Sequence, residues 1–216
     1  MKHRINIALG ALVALAIVAG PGSARAQDVM TPELLWQLKR VSAPAVSPDG
    51  RALVYGIRTY DVVANKGDTD LFLLEVAGGD PVRLTDMKGS ESSAAWRPDG
   101  QWIGFLSSKG GSTQLWEVKA DGKKMRQVTD VEGGIANFRY SPDGTHISFT
   151  ADVKLDKTVN DLYADLPEAD ARIMDGLMYR HWDSWHDYAY SHLFVAPYKD
   201  GWVGDAVDLM KGLRVD

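Results

Sequence analysis

One tetrapeptide returns three times: Ser47-Pro48-Asp49-Gly50, Arg97-Pro98-Asp99-Gly100 and Ser141-Pro142-Asp143-Gly144. No other feature narrows the possible folds so far, because a recurring turn implies a recurring structural unit. The residues are those of a tight reversal: proline presets φ, aspartate bonds its own backbone, and glycine takes a positive φ. The match runs on past the turn. Three residues after each glycine stands Leu53, Ile103 or Ile147, and two further on Tyr55, Phe105 or Phe149. That alternation predicts a half-buried strand with its apolar side chains on one face. Val46, Trp96 or Tyr140 closes the strand before each turn, so each copy is a hairpin.

A second hairpin follows in the first two copies. Leu71-Phe72-Leu73-Leu74 aligns with Leu115-Trp116-Glu117-Val118 at a spacing of 44 residues, the same as between the second and third tetrapeptides. Turns at Ala77-Gly78-Gly79-Asp80 and Ala120-Asp121-Gly122 lead to Val82-Arg83-Leu84-Thr85-Asp86 and Arg126-Gln127-Val128-Thr129-Asp130. Four short strands in about 44 residues make one blade of a β-propeller. The expected fold is therefore all-β, a partial β-propeller of about three four-stranded blades near 40–86, 92–130 and 136–212. The third blade is interrupted near 152–190 by an insert with helical character, after which Leu193-Phe194-Val195-Ala196 resumes the third strand. Leu209-Met210-Lys211-Gly212 is the fourth strand or its exit. Within the insert, Pro167 suits the first turn of a helix, Asp165 its cap, and Ala169, Ile173 and Leu177 one face. Three blades cannot close a ring and leave two apolar faces open, so the chain is expected to be part of a larger propeller.

The first 26 residues read as an export signal. Lys2 and Arg4 precede an apolar run from Ile5 to Ala19, and Ala24-Arg25-Ala26 offers a cleavage site before Gln27. The run is short of the roughly 20 residues a spanning helix requires. The expected location is therefore periplasmic or secreted, with no membrane segment after cleavage. The formal net charge is −5, and losing Lys2, Arg4 and Arg25 leaves −8 on the mature chain. An acidic exported domain without a basic run is unsuited to nucleic acid. The absence of cysteine excludes disulfides and thiolate metal sites. No cofactor is implied.

Pro-Asp-Gly hairpins followed by Leu-Thr-Asp resemble the propeller repeats of two exported groups, the TolB-like scaffolds and the prolyl oligopeptidase family of serine peptidases. Met30-Thr31-Pro32-Glu33-Leu34-Leu35 and the stretch from Arg40 to Gly50 resemble the start of the dipeptidyl peptidase V and acylaminoacyl-peptidase-like members of the second group. The insert sequence Asp175-Gly176-Leu177-Met178-Tyr179-Arg180-His181-Trp182-Asp183-Ser184-Trp185 resembles the same subgroup. The resemblance implies a following α/β-hydrolase domain whose serine lies in a Gly-x-Ser-x-Gly elbow. No such motif occurs here, so no catalytic residue is assigned within these residues. It also implies that the propeller is a lid admitting short peptides for dipeptidyl or acylaminoacyl release, with its inserts helping to hold the substrate's N-terminal end. The alternative is a non-enzymatic TolB-like scaffold that binds proteins.

Arg180, Trp182 and Asp183 are the candidate substrate-binding residues, in the densest polar and aromatic cluster of the chain. There an aspartate could pair with a peptide ammonium and an arginine with a carbonyl or carboxylate. Equally, Trp182 and Trp185 could pack the insert onto its blade while Arg180 and Asp183 bridge locally. A zinc site from His181, Asp183 and His186 is disfavoured, because His181 and His186 are five apart and no further ligand is evident. The turn role of Asp49, Asp99 and Asp143 removes any need for calcium. Trp96, Trp102 and Trp116 are expected to pack between blades. His146 and His192 stand alone and suggest no mechanism.

Overall fold

The computed structural model describes residues 30–174, 176, 180–185 and 188–214. The predicted signal and cleavage site, Leu177, His186 and the side chain of His181 lie outside the described residues. The chain divides into two units, one through Leu38 and one from Lys39 onward. In the first, helix α1 spans Pro32–Gln37. Thr31 caps it by accepting from the Leu34 N–H at 3.1 Å, and Pro32 sits at the start, where no N–H is needed.

Among the described residues, the second unit contains three larger antiparallel sheets and one two-stranded hairpin. The first runs β1 (Arg40–Val46), β2 (Ala52–Asp61), β3 (Lys66–Glu75), β4 (Val82–Arg83). The second runs β5 (Glu91–Trp96), β6 (Trp102–Ser107), β7 (Gln114–Lys119), β8 (Met125–Gln127). In the third, β9 (Ala136–Tyr140) pairs β10 (His146–Lys154), whose other neighbour is β13 (Ala189–Lys199); β14 (Trp202–Val203) and β15 (Val207–Asp208) both pair with β13. Helix α2 (Val159–Leu162) and the hairpin β11 (Arg180–His181) and β12 (Ser184–Trp185) lie between β10 and β13.

The three tetrapeptides close the first hairpin of each sheet in the same way. Val46 faces Leu53, Trp96 faces Ile103 and Tyr140 faces Ile147 across the turns. Gly50, Gly100 and Gly144 have φ of 71°, 69° and 67°, a region that glycine enters without the cost of a Cβ. The aspartates tie the turns: Asp49, Asp99 and Asp143 accept from the N–H two residues on at 3.1, 3.0 and 3.0 Å. Hydrogen bonding holds Asp143 down to about 2, first through the Ser141 hydroxyl.

Two apolar seams hold the sheets together. Val54, Leu71, Leu73 and Leu84 of the first pack on Ile103, Phe105 and Val118 of the second. Leu106 and Leu115 pack on Phe138, Ile147, Phe149 and Ala196 of the third. The middle sheet is thus sandwiched, and every residue of β6 is buried. Here the expected half-buried alternation fails, because both faces of β6 meet a neighbour. Trp96 packs on the first seam and donates its indole N–H to the Ala45 carbonyl at 2.9 Å, while Trp102 is buried.

The Leu-Thr-Asp segments are explained by buried side-chain bonds. Thr85 and Thr129 accept from the third-strand amides of Leu71 and Leu115 at 2.8 and 2.9 Å. Each then donates onward at 2.8 Å, Thr85 to Glu91 of the next sheet and Thr129 to Gln114.

The insert differs from expectation in two respects. Strand pairing persists to Lys154 opposite Ala189, so the excursion is shorter than 152–190. Its helix is the single turn Val159–Leu162, capped by a reciprocal box between Thr158 and Asp161. Pro167 instead follows Leu166 in a turn closed by the Ala169 amide on the Leu166 carbonyl at 3.0 Å. A capping box satisfies several backbone donors at Thr158, whereas Asp165 provides no such pair. Among the described residues, no helix is long and apolar enough to cross a membrane.

Candidate functional site

The antiparallel sheets bring the Pro-Asp-Gly turns to one edge of the stack. The β2–β3 and β6–β7 connections and the insert emerge at the opposite edge. The insert is rooted there by main-chain and side-chain bonds. The amides of Leu155 and Asp156 both reach the Tyr188 carbonyl, at 3.0 and 3.2 Å. Asp156 accepts from the Tyr190 hydroxyl at 2.7 Å and from Arg214 at 2.9 Å. Lys154 meets Asp161 at 2.9 Å, and that contact with the Thr158 bonds holds Asp161 well below the usual carboxylate range.

All three candidate residues lie in the β11–β12 hairpin. Arg180 faces Trp185 across the strands, and its guanidinium lies 5.1 Å from the indole centroid. Arg172 approaches the same ring at 5.1 Å, so one indole receives two cations. Trp182 and Asp183 form the two-residue connection, and both are exposed. Trp182 has φ of 52° and is 87% exposed. A bulky aromatic residue is rare in that backbone region, and here it is held there by a hairpin too short to relax. The tip presents an indole face and a carboxylate, with a guanidinium braced one residue behind Trp182's neighbour His181. Side chains of these types have the chemistry for a peptide terminus, a carboxylate for an ammonium and a guanidinium for a carbonyl. Among the described residues no group of three or more His, Asp or Glu side chains could hold a metal ion.

A second polar constellation, at the seam between the middle and third sheets, is not apparent from the sequence. Glu117 is fully buried. One of its oxygens accepts from the hydroxyls of Tyr140, at 2.7 Å, and Tyr198; the other accepts from Arg126 at 2.6 and 2.9 Å. Arg126 also meets Asp200 at 3.1 Å and lies 4.0 Å above the Trp102 ring. Arg97 joins Tyr198, Asp200 and Asp99 to the same cluster. Burial, reinforced by Glu117, pushes Tyr198 up to about 12. The available signal is Glu117 itself, which shares a strand face with Leu115 and lies directly across from Arg126.

Four-stranded sheets stacked face to face, each entered from the outer strand of the one before, are blades of a β-propeller. The sequence profile of the TolB beta propeller domain matches residues 36–176, and the chain belongs to that family. Its similarity to Dipeptidyl-peptidase 5 of Porphyromonas gingivalis is 38% identity over 211 residues, covering 98% of this chain and 31% of that protein. The chain thus spans about a third of the length of that relative. Among solved structures, the acylaminoacyl peptidase of Pyrococcus horikoshii superimposes with a TM-score of 0.61 at 14% identity, over 81% of this chain and 26% of that one. A putative TolB from Agrobacterium tumefaciens gives 0.51 at 22% identity, over 80% and 49%. At these identities the two structures speak for the fold alone.

Proposed function

We propose that this chain is the propeller part of an exported serine exopeptidase that releases dipeptides or acylated residues from short peptides. The observation that carries the proposal is the extent of the similarity to Dipeptidyl-peptidase 5. It covers 98% of the chain and so includes the insert, where the TolB domain match ends at residue 176. In this role the blades form a lid over a hydrolase domain that supplies the nucleophile. The tip of the insert holds the substrate's N-terminal end, with Asp183 on the ammonium, Arg180 on a carbonyl and Trp182 against the first side chain. The chain is not catalytic by itself.

The full-length protein should be labelled by a fluorophosphonate probe and should hydrolyse a dipeptidyl or acyl-aminoacyl chromogenic substrate. Asp183→Asn in that protein should lower kcat/KM by about 10- to 150-fold, the equivalent of about 1.5–3 kcal/mol for a charge-assisted hydrogen bond. A lower melting temperature with unchanged kinetics would instead make Asp183 a brace of the insert. An unlabelled, inactive full-length protein would favour the TolB-like scaffold. Export has a separate test. N-terminal sequencing of exported protein should begin at Gln27, and retention of Met1 would refute the cleavage.

A further inference from the structure

We infer that His192, as an imidazolium, is a positioning residue for the insert, strapping the outer edge of the third blade to the strand that leaves the insert. The inference rests on the proposed role of the insert in holding substrate.

The repeat shows what is unusual here. Asp70, Gln114 and His192 each precede the third-strand leucine whose amide is bonded from the fourth-strand side. In the first two blades that amide meets a threonine hydroxyl, at 2.8 and 2.9 Å. In the third, Met210 replaces the threonine, and the Leu193 amide meets its sulfur at 3.3 Å. A thioether is a weak acceptor and cannot donate onward. The hydroxyl relay of the other blades is therefore missing from the blade that carries the insert.

His192 provides a different tie. Its ring is fully buried, with Nδ1 2.8 Å from an Asp208 carboxylate oxygen and Nε2 2.8 Å from the Leu213 carbonyl. A carbonyl only accepts. The second Asp208 oxygen accepts from the Met210 amide at 2.8 Å. Burial pushes the Asp208 carboxyl up, but the bonds from His192 and Met210 outweigh it and hold the group below its ordinary range, so it too accepts. Two acceptors call for two N–H donors, which only the imidazolium has. A neutral ring would turn a lone pair toward one of them.

The strapped segment then reaches the root of the insert. Arg214 follows Leu213 and bonds Asp156, which also holds Tyr190, two residues before His192. The charged groups around the strap are Asp208 on β15, Lys211 and Arg214 on the segment beyond it, and Asp156, which holds Arg214, at the root of the insert. The Asp208 hydrogen bond, against the opposing effect of burial, raises His192 above its ordinary 6.5. The tie is complete below that value and is lost as pH rises through the higher value of the folded state.

The test uses the full-length protein with nitrogen-labelled histidine. Ring correlations should show both His192 nitrogens protonated at about pH 6, and Asp208→Asn should lower the pH at which one proton leaves. A neutral His192 ring at that pH overturns the strap, whether or not the protein is a peptidase. His192→Gln should raise KM for a dipeptidyl substrate by about 5-fold at about pH 6 while changing kcat less than about 2-fold, and the difference should narrow as pH rises and the wild type loses its own tie. A protonated ring with unchanged KM overturns the positioning role. If His192→Gln does not fold, the same KM comparison is made with Asp208→Asn. A protonated ring in a protein without peptidase activity refutes the proposed function instead.

Discussion

Glu117→Ala should destabilise the protein by about 3–5 kcal/mol, as much as truncating a buried phenylalanine at the same seam. Glu117 is fully buried and accepts four hydrogen bonds, two from tyrosine hydroxyls and two from Arg126. Removing it leaves the Tyr140 and Tyr198 hydroxyls without their acceptor and Arg126 with Asp200 as its remaining carboxylate partner. The buried hydroxyls then carry a desolvation cost, whereas Arg126, which is partly exposed, is relieved in part by solvent. The double replacement Glu117→Leu with Arg126→Met should recover only part of the loss: apolar groups replace the ion pair without stranding Arg126, but the Tyr140 and Tyr198 hydroxyls still lack their acceptor. Denaturant titration of the two variants decides the matter. A loss below about 1 kcal/mol for Glu117→Ala would mean that the cluster contributes orientation rather than stability.

The hairpins are legible in the sequence because local chemistry dictates them. Proline, aspartate and glycine each have a reason to sit in the reversal, and the register Val46–Leu53, Trp96–Ile103 and Tyr140–Ile147 follows from it. Other features lack such a marker. Each first strand carries an irregularity four residues before the tetrapeptide, where Ala43, Ser93 and Asn137 take φ of 46°, 55° and 52°. A glycine would have signalled these positions; alanine and serine do not. The polar seam is hidden for a different reason. Tyr198 reaches Glu117 across 81 residues of chain and Arg97 reaches Asp200 across 103, so only the stacking of two blades brings them together. His192 is isolated in the sequence for the same reason, its partners lying 16 and 21 residues away on a segment folded back by the fourth strand. The insert is recognisable by resemblance, while its internal geometry is not. The position of Trp182 at the tip depends on two-residue strands that no periodicity reveals.

The seam between the first and middle blades should respond to pH in a way the other does not. Glu91 begins the first strand of the middle blade and is 1% exposed. One carboxyl oxygen accepts from Thr85 at 2.8 Å, and the other is buried without a well-formed hydrogen bond among the described residues. Burial pushes the group from 4.5 up to about 7, against the hydroxyls of Thr85 and Ser107 and with further help from the charges of Asp70 and Asp68. Below pH 4.5 the carboxyl is protonated in both the folded and the unfolded chain and costs nothing. Above it the unfolded chain loses the proton first, so stability falls as pH rises, until the folded group ionises near 7 and the loss levels off. The loss amounts to at most about 3 kcal/mol. Glu91→Gln keeps an oxygen for Thr85 and has no charge to bury. It should therefore match the wild type at about pH 4, exceed it at about pH 8, and show a flatter profile between. Parallel stability profiles for the two proteins would show that Glu91 ionises freely inside the seam and that the buried oxygen has a partner in solution.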